Sequence, residues 1–190
     1  MKRALDLFLV LVTLPLWGAL VLAVAVAVLT VMGRPVFFWQ RRAGLGGRDF
    51  SIVKFRTMRE GTGPDAERLT RFGRFLRATS LDELPELWNV LKGEMSLVGP
   101  RPLPVRYLPR YTPEQMRRHE TLPGITGWAQ IHGRNSLDWE TKFRYDVEYV
   151  DRRSLALDIR ILAVTLVQVI FPRHISHDGE ATMSEFGVSS

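Results

Sequence analysis

The 190 residues are 46% hydrophobic and set 26 Lys+Arg against 20 Asp+Glu, a formal charge of +6; such a chain suits one folded unit that meets anionic partners such as phospholipid, nucleotide or nucleic acid. The lack of cysteine excludes disulfides, thiol nucleophiles and cysteine metal sites. Four scattered histidines, no Walker A loop and no Gly-x-Ser-x-Gly elbow leave a histidine metal site, a P-loop enzyme and a serine hydrolase without support.

From Ala4 to Met32 the sequence is almost wholly apolar, interrupted by Asp6, Thr13, Pro15 and Thr30. One straight helix of that length would reach about 43 Å, beyond the roughly 30 Å of hydrocarbon in a bilayer. Pro15 divides it into arms of about 16 and 25 Å, neither of which crosses alone. Lys2 and Arg3 precede the segment, and Arg34, Arg41 and Arg42 follow it. A spanning helix sends one basic group to the outer face, whereas a re-entrant helix keeps both on the cytoplasmic side. Physics alone favours a kinked span, because proline is tolerated in spanning helices.

Val36 to Gln40, then Arg41 to Gly47, then Phe50 to Thr57 read as strand, turn and strand. Val53 and Phe55 share one face of the second strand, and Lys54 and Arg56 the other, where they are either solvated or offered to an anion. Arg59 to Pro64 reads as a loop. A helix is expected over 66–78, with Leu69, Phe72, Phe75 and Leu76 apolar. Arg68, Arg71, Arg74 and Arg77 lie mostly opposite, a pattern that suits an anionic membrane surface or simply solvent.

Ser80 to Pro102 carries adjacent acids, Asp82 and Glu83, at the head of a run whose Leu84, Leu87, Trp88 and Leu91 fall on one helical face. Ser80 and Glu83 have capping-box spacing, which is the plain structural explanation of both. Pro85 limits that explanation, because it removes an amide from the first turn and lets the helix begin at the proline instead. In either case the acids sit among unpaired amides, where a phosphate or a carboxylate-bound cation is readily held. In Gly99-Pro100-Arg101-Pro102 two prolines stiffen the chain around one arginine, either as a plain connector or as a preset phosphate clamp.

Prolines at 104, 109 and 113 allow only short turns among Arg106, Arg110, Arg117 and Arg118, such as one over 113–120 capped by Thr112. Tyr107 and Tyr111 among these arginines suit nucleic-acid stacking or an interfacial anchor. Pro123 to Gln130 reads as glycine-held turns with Trp128 as packing anchor. Trp139 to Val150 and Leu155 to Phe171 read as helices, the second amphipathic and too short and polar for a span. Asp146 in the first is either a site neighbour or an ion-pair partner, and the tail beyond Pro172 is polar.

The stretch from Ser80 to Pro102, together with Lys54-Phe55-Arg56-Thr57-Met58 and Pro123-Gly124-Ile125-Thr126-Gly127-Trp128-Ala129-Gln130, resembles the bacterial sugar transferases, the monotopic phosphoglycosyl transferases that start glycan assembly on polyprenol phosphate. The resemblance covers nearly the whole chain, and Thr182, Glu185 and Phe186 resemble the family's ending. It implies an α+β, mostly helical, membrane-associated fold with a proline-broken re-entrant helix over 1–33. A catalytic domain over 34–190 would follow, with a small β-hairpin and interfacial amphipathic helices. The resemblance thus reverses the preference for a span. It places the chain at the cytoplasmic face of the bacterial inner membrane, with a UDP-sugar, polyprenyl phosphate and phospholipid as partners and no functional role for nucleic acid. By the same resemblance Asp82 is the nucleophile and Glu83 a Mg²⁺ ligand, with Asp82 as a second candidate ligand. Arg77, Arg101, Arg134 and Lys54 contact phosphate, and Asp158 is a candidate site carboxylate that is equally well explained as a helix-start acid. So many cations should keep Asp82 ionised at neutral pH. The transferred sugar, the uridine contacts and the oligomeric state, a homodimer included, are left open.

Overall fold

The computed structural model describes residues 1–133, 136–171 and 185–187. The apolar N-terminal stretch folds as two helices, α1 (Lys2–Val12) and α2 (Leu14–Met32). Pro15 has no amide for the carbonyl of Leu11. Local bonds seal the break: Thr13 Oγ1 donates to the carbonyl of Leu9 at 2.6 Å, and the Trp17 indole N–H to that of Val10 at 2.9 Å. Helix resumes ahead of the proline, so the second arm has 19 residues and spans about 28 Å rather than about 25 Å. Contrary to expectation, this arm alone is long and apolar enough to cross a membrane.

Both ends of the helix pair are tied to one body. Arg3 donates to the carbonyls of Val90 and Leu91 at 2.5 and 2.9 Å. Buried Asp6 accepts from Ser96 Oγ at 2.8 Å and the Leu97 amide at 3.2 Å. At the far end Arg56 donates to the carbonyls of Met32 and Gly33 at 2.5 and 2.8 Å, where a cation also complements the helix dipole. Val24 and Val28 pack on Phe55 and Leu76, while Leu16, Leu22 and Val31 stay exposed.

β1 (Phe37–Ala43) pairs antiparallel with β2 (Asp49–Phe55), from Phe37 opposite Phe55 to Ala43 opposite Asp49. The first strand runs past Gln40, its expected end, because Arg41 and Arg42 continue the ladder against Ser51 and Phe50. Val53 and Phe55 are buried and Lys54 only partly so.

The helix expected over 66–78 is two pieces, α3 (Asp65–Arg68) and α4 (Arg71–Ala78). Leu69 between them bridges to Met58, and Thr70 restarts the helix by accepting from the Gly73 amide at 2.8 Å. Here glycine is required by space, since a Cβ at position 73 would lie 1.9 Å from the Thr57 carbonyl oxygen. That contact seats α4 on the end of β2.

A 3₁₀ turn over Leu81–Glu86 leads into α5 (Leu87–Lys92). β3 (Ser96–Val98) then pairs parallel with β4 (Gly124–Thr126), a second sheet that was not expected, since Pro123 to Gln130 read as turns. A Cβ on Gly124 would lie 2.1 Å from the Gly99 amide nitrogen, so glycine lets these two chain segments touch. α6 (Pro113–Met116) carries the Thr112–Gln115 capping box, and α7 (Trp128–His132) follows β4. α8 (Trp139–Arg152) and α9 (Leu155–Ile170) match their expected spans, capped by Asp138 and Ser154. α9 is amphipathic, burying Asp158 and Ile161 while Ile159, Leu166 and Val169 are exposed. Phe186 packs among Tyr107, Tyr111, Trp139 and Phe143, whereas Thr182 lies outside the described residues.

Candidate active site

The site forms where α4 hands over to the 3₁₀ turn. Ser80 makes the corner with φ 57°, a left-handed conformation in a residue that has a side chain. Its hydroxyl makes no cap, so the expected capping box does not form; the link is the Glu83 amide donating to the Ser80 carbonyl at 3.3 Å. Pro85 inside the turn delays the α-helix to Leu87. In a 3₁₀ turn residues three apart eclipse, and Glu83 and Glu86 accordingly both meet Lys54, at 2.6 and 3.1 Å. The expected packing face holds in part: Leu84, Leu87 and Leu91 join core clusters, but Trp88 is 54% exposed.

Three of the expected cations, Arg101, Lys54 and Arg77, are described in this region with the two acids. Arg101 binds both oxygens of Glu83, its Nη1 donating to Oε2 at 3.4 Å and its Nη2 to Oε1. Lys54 is held against Glu83 from β2. Arg77, in the last turn of α4, donates through Nε to Thr57 Oγ1 at 3.1 Å. Asp82 is 7% exposed, and no described residue donates a hydrogen bond to it. Burial, and then the charge of Glu83, push its pKa up to about 6 against the pull of Lys54, Arg101 and Arg77. The shift is upward, so burial and the charge of Glu83 outweigh the cations that were expected to hold this carboxylate ionised. Its neighbour shows the opposite outcome: burial raises Glu83, yet Arg101 and Lys54 overcome it and hold the group well below the usual carboxylate range.

Several residues here were not assigned to the site from the sequence. Glu86 is buried and raised, chiefly by burial; its spacing from Glu83 was the available signal. Asn89 is fully buried and pins α5 to β2, donating to the Ser51 carbonyl at 2.8 Å and accepting from the Val53 amide at 3.4 Å. Arg42, read as a membrane flank, instead lies under the Pro-Arg-Pro loop, its pKa lowered to about 10 by burial and then by Arg101. Lys142, on α8, is lowered to about 8 by burial and then by the charge of Arg101. Of the expected residues, Arg134 lies outside the described residues. Asp158 has other partners, accepting from Lys2 Nζ and from the Tyr149 hydroxyl, each at 2.7 Å.

Asp82 and Glu83 offer hard oxygen donors, and among the described residues no group of three or more potential ligands surrounds a point. Asp82 has oxygens open to a hard cation such as Mg²⁺, whereas Glu83 would have to give up a donor to ligate one, because both of its oxygens already accept from Arg101 or Lys54.

The model of the bacterial sugar transferase family matches residues 1–172. The chain belongs to this family. Among curated relatives, the uncharacterized sugar transferase EpsL of Bacillus subtilis is 48% identical over 98% of this transferase and 95% of its own length. The UDP-glucose:undecaprenyl-phosphate glucose-1-phosphate transferase of Xanthomonas campestris is 47% identical over 82% of the chain and 35% of its own length. The Escherichia coli protein of the same name is 40% identical over 87% of the chain and 39% of its own length. This transferase thus spans nearly all of EpsL but well under half of the other two.

Proposed function

We propose that this transferase moves a sugar-1-phosphate from a UDP-sugar to polyprenyl phosphate, undecaprenyl phosphate being the acceptor named for its relatives, and releases UMP. The observation that carries the mechanism is the contrast at the dyad. Glu83 is fully engaged by Lys54 and Arg101, while buried Asp82 has a charge and no donor among the described residues. In the first step an Asp82 oxygen attacks the sugar-bearing phosphorus. The bond from that phosphorus to the bridging oxygen breaks, and UMP leaves with the bond's electrons. In the second step a phosphate oxygen of the polyprenyl acceptor attacks the same phosphorus and frees the Asp82 carboxylate. The acceptor is already an anion, so direct attack with Asp82 as a base gains little from that base.

Lys54, Arg77 and Arg101 supply positioned charge to the equatorial phosphate oxygens, which is most of what phosphoryl transfer needs. Glu83 holds Lys54 and Arg101 in place before the donor arrives. Mg²⁺ held by Glu83 in exchange for one of its present donors, with Asp82 beside it, would supply further neutralisation of the diphosphate. Arg134 joins this set by resemblance.

The donor is polar and the acceptor a lipid, so the reaction belongs at a membrane surface. The tying of both Lys2–Asp6 and Met32–Gly33 to one body supports a re-entrant anchor over a span, because a span would part those ends by the bilayer's thickness. The exposed apolar faces of α2 and α9 support the same placement at a membrane surface; the cytoplasmic side follows from the family resemblance alone.

The test is intact-mass analysis of the full chain with Mg²⁺ and UDP-glucose, UDP-galactose or UDP-N-acetylgalactosamine, without acceptor. One of them is expected to leave a phosphosugar on Asp82, absent from Asp82→Asn. Rapid lipid-linked product from Asp82→Asn would refute the covalent route. UMP release that needs Asp82 and Mg²⁺ also excludes a non-enzymatic basic membrane scaffold.

A further inference from the structure

Consecutive carbonyls of the loop that carries Arg101 are each held by a different donor. The Pro100 oxygen accepts from the Gly124 amide at 3.0 Å, the Arg101 oxygen from Arg118 Nη2 at 2.7 Å, and the Pro102 oxygen from Arg42 Nη1 at 3.3 Å. The middle donor is a charge taken into the core. The side chains of Arg118 and Asp146 are 1% and 2% exposed, and Arg118 Nε and Nη2 both donate to Asp146 Oδ2, at 3.0 and 2.7 Å. The guanidinium lies 5.7 Å from the Tyr111 ring centroid and 5.5 Å from that of Phe143.

A pair buried so completely adds little net stability, and apolar side chains of similar volume would fill its space without losing hydration. Such apolar side chains lack one capability of this pair: they cannot hold the carbonyl of Arg101. The planar fork of Arg118 reaches carboxylate and carbonyl at once, and prolines on either side of Arg101 leave that residue few other ways to move.

We infer that Arg118, oriented by Asp146, is a positioning residue that fixes the backbone of Arg101, so that the Arg101 guanidinium meets Glu83 and the donor diphosphate in register. The inference rests on the reading of Arg101 as a phosphate-holding group. A displacement of about 1 Å in such a group costs on the order of 100-fold in rate.

The experiment compares four full-length proteins: the unaltered chain, Arg101→Ala, the paired replacement Arg118→Met with Asp146→Leu, and all three changes together. Each is assayed for UMP release with the UDP-sugar that labels Asp82 and with polyprenyl phosphate, and melting temperatures are recorded alongside. The paired replacement is expected to melt normally and to lower kcat/KM roughly tenfold or more when Arg101 is present, but less than about twofold when Arg101 is already alanine. Arg118→Lys keeps the buried charge but has no fork. It should reproduce the Arg101-dependent loss, and it serves as the probe if the apolar pair does not fold. Equal losses in both backgrounds, or no loss in either, would overturn the positioning role while leaving Arg101 slow when mutated. Full activity in Arg101→Ala itself would instead sink the phosphate reading, and the inference with it.

Discussion

Asp158 and Asp82 are both buried acids with cations nearby, and they are built for different ends. Asp158 is 2% exposed with both oxygens taken, one by Lys2 and one by the Tyr149 hydroxyl. That hydroxyl also reaches the Val98 carbonyl at 3.3 Å, and burial and then Asp158 raise its pKa and keep it protonated. The cluster joins the N-terminus to α8, α9 and β3. Asp82 is about as buried but accepts nothing from any described residue, and its neighbouring acid has drawn the cations to itself. Burial therefore does not mark a reactive acid. A satisfied buried carboxylate fastens the fold, whereas an unsatisfied one beside oriented cations holds binding capacity in reserve, at some cost in stability.

The largest expected effect follows directly. Asp82→Asn keeps the shape of the side chain and removes its nucleophilic charge, so kcat/KM should fall by at least about 10³-fold, read as UMP release. Its circular dichroism spectrum should stay that of the unaltered chain. If turnover survives, the unpaired acid is not the reactive one and the contrast with Asp158 loses its meaning.

Asp158→Ala tests the other half. It leaves Lys2 and Tyr149 without their shared acceptor and should lower stability by about 2–4 kcal/mol, measured by denaturant unfolding in detergent. Activity per folded molecule should change by less than about threefold. A collapse of activity at unchanged stability would return Asp158 to the site, the role its family resemblance suggested.

What the sequence made legible follows from periodicity and spacing. The proline break, the hairpin, α8 and α9 each carry a pattern long enough to read, and the dyad stood out because two acids opened an apolar run. The second sheet did not, because strands of three residues are too short for alternation to register, and their pairing depends on glycines that let backbones touch. The split between α3 and α4 hid behind one continuous apolar pattern, which Thr70 capping and the Leu69 bridge overrode. Arg118 and Asp146 stand 28 positions apart, so nothing local joined them. At the dyad, the expected cap and the observed turn put the same acids in the same place, but only the turn explains why Glu86 faces Lys54.

The smallest effect is the most discriminating, because it separates activity from stability in one group. With a pKa of about 6, Asp82 should make kcat/KM fall about tenfold per pH unit below that point. Its effect on stability has the opposite sense. The folded pKa lies above the ordinary 3.8, so the folded state pays for a buried charge at every pH above about 6, and that penalty fades as pH falls toward 4. Buried His119, lowered to about 4 by burial and then by Arg118, loses stability across the same range and would mask the trend in the unaltered chain alone. The difference between the unaltered chain and Asp82→Asn cancels that contribution. Asp82→Asn should be the more stable of the two above pH 6, by up to about 3 kcal/mol, and the gap should shrink steadily toward pH 4. A gap that is constant with pH would mean that Asp82 titrates like an exposed acid, and its distinction from Asp158 would then have to rest on geometry alone.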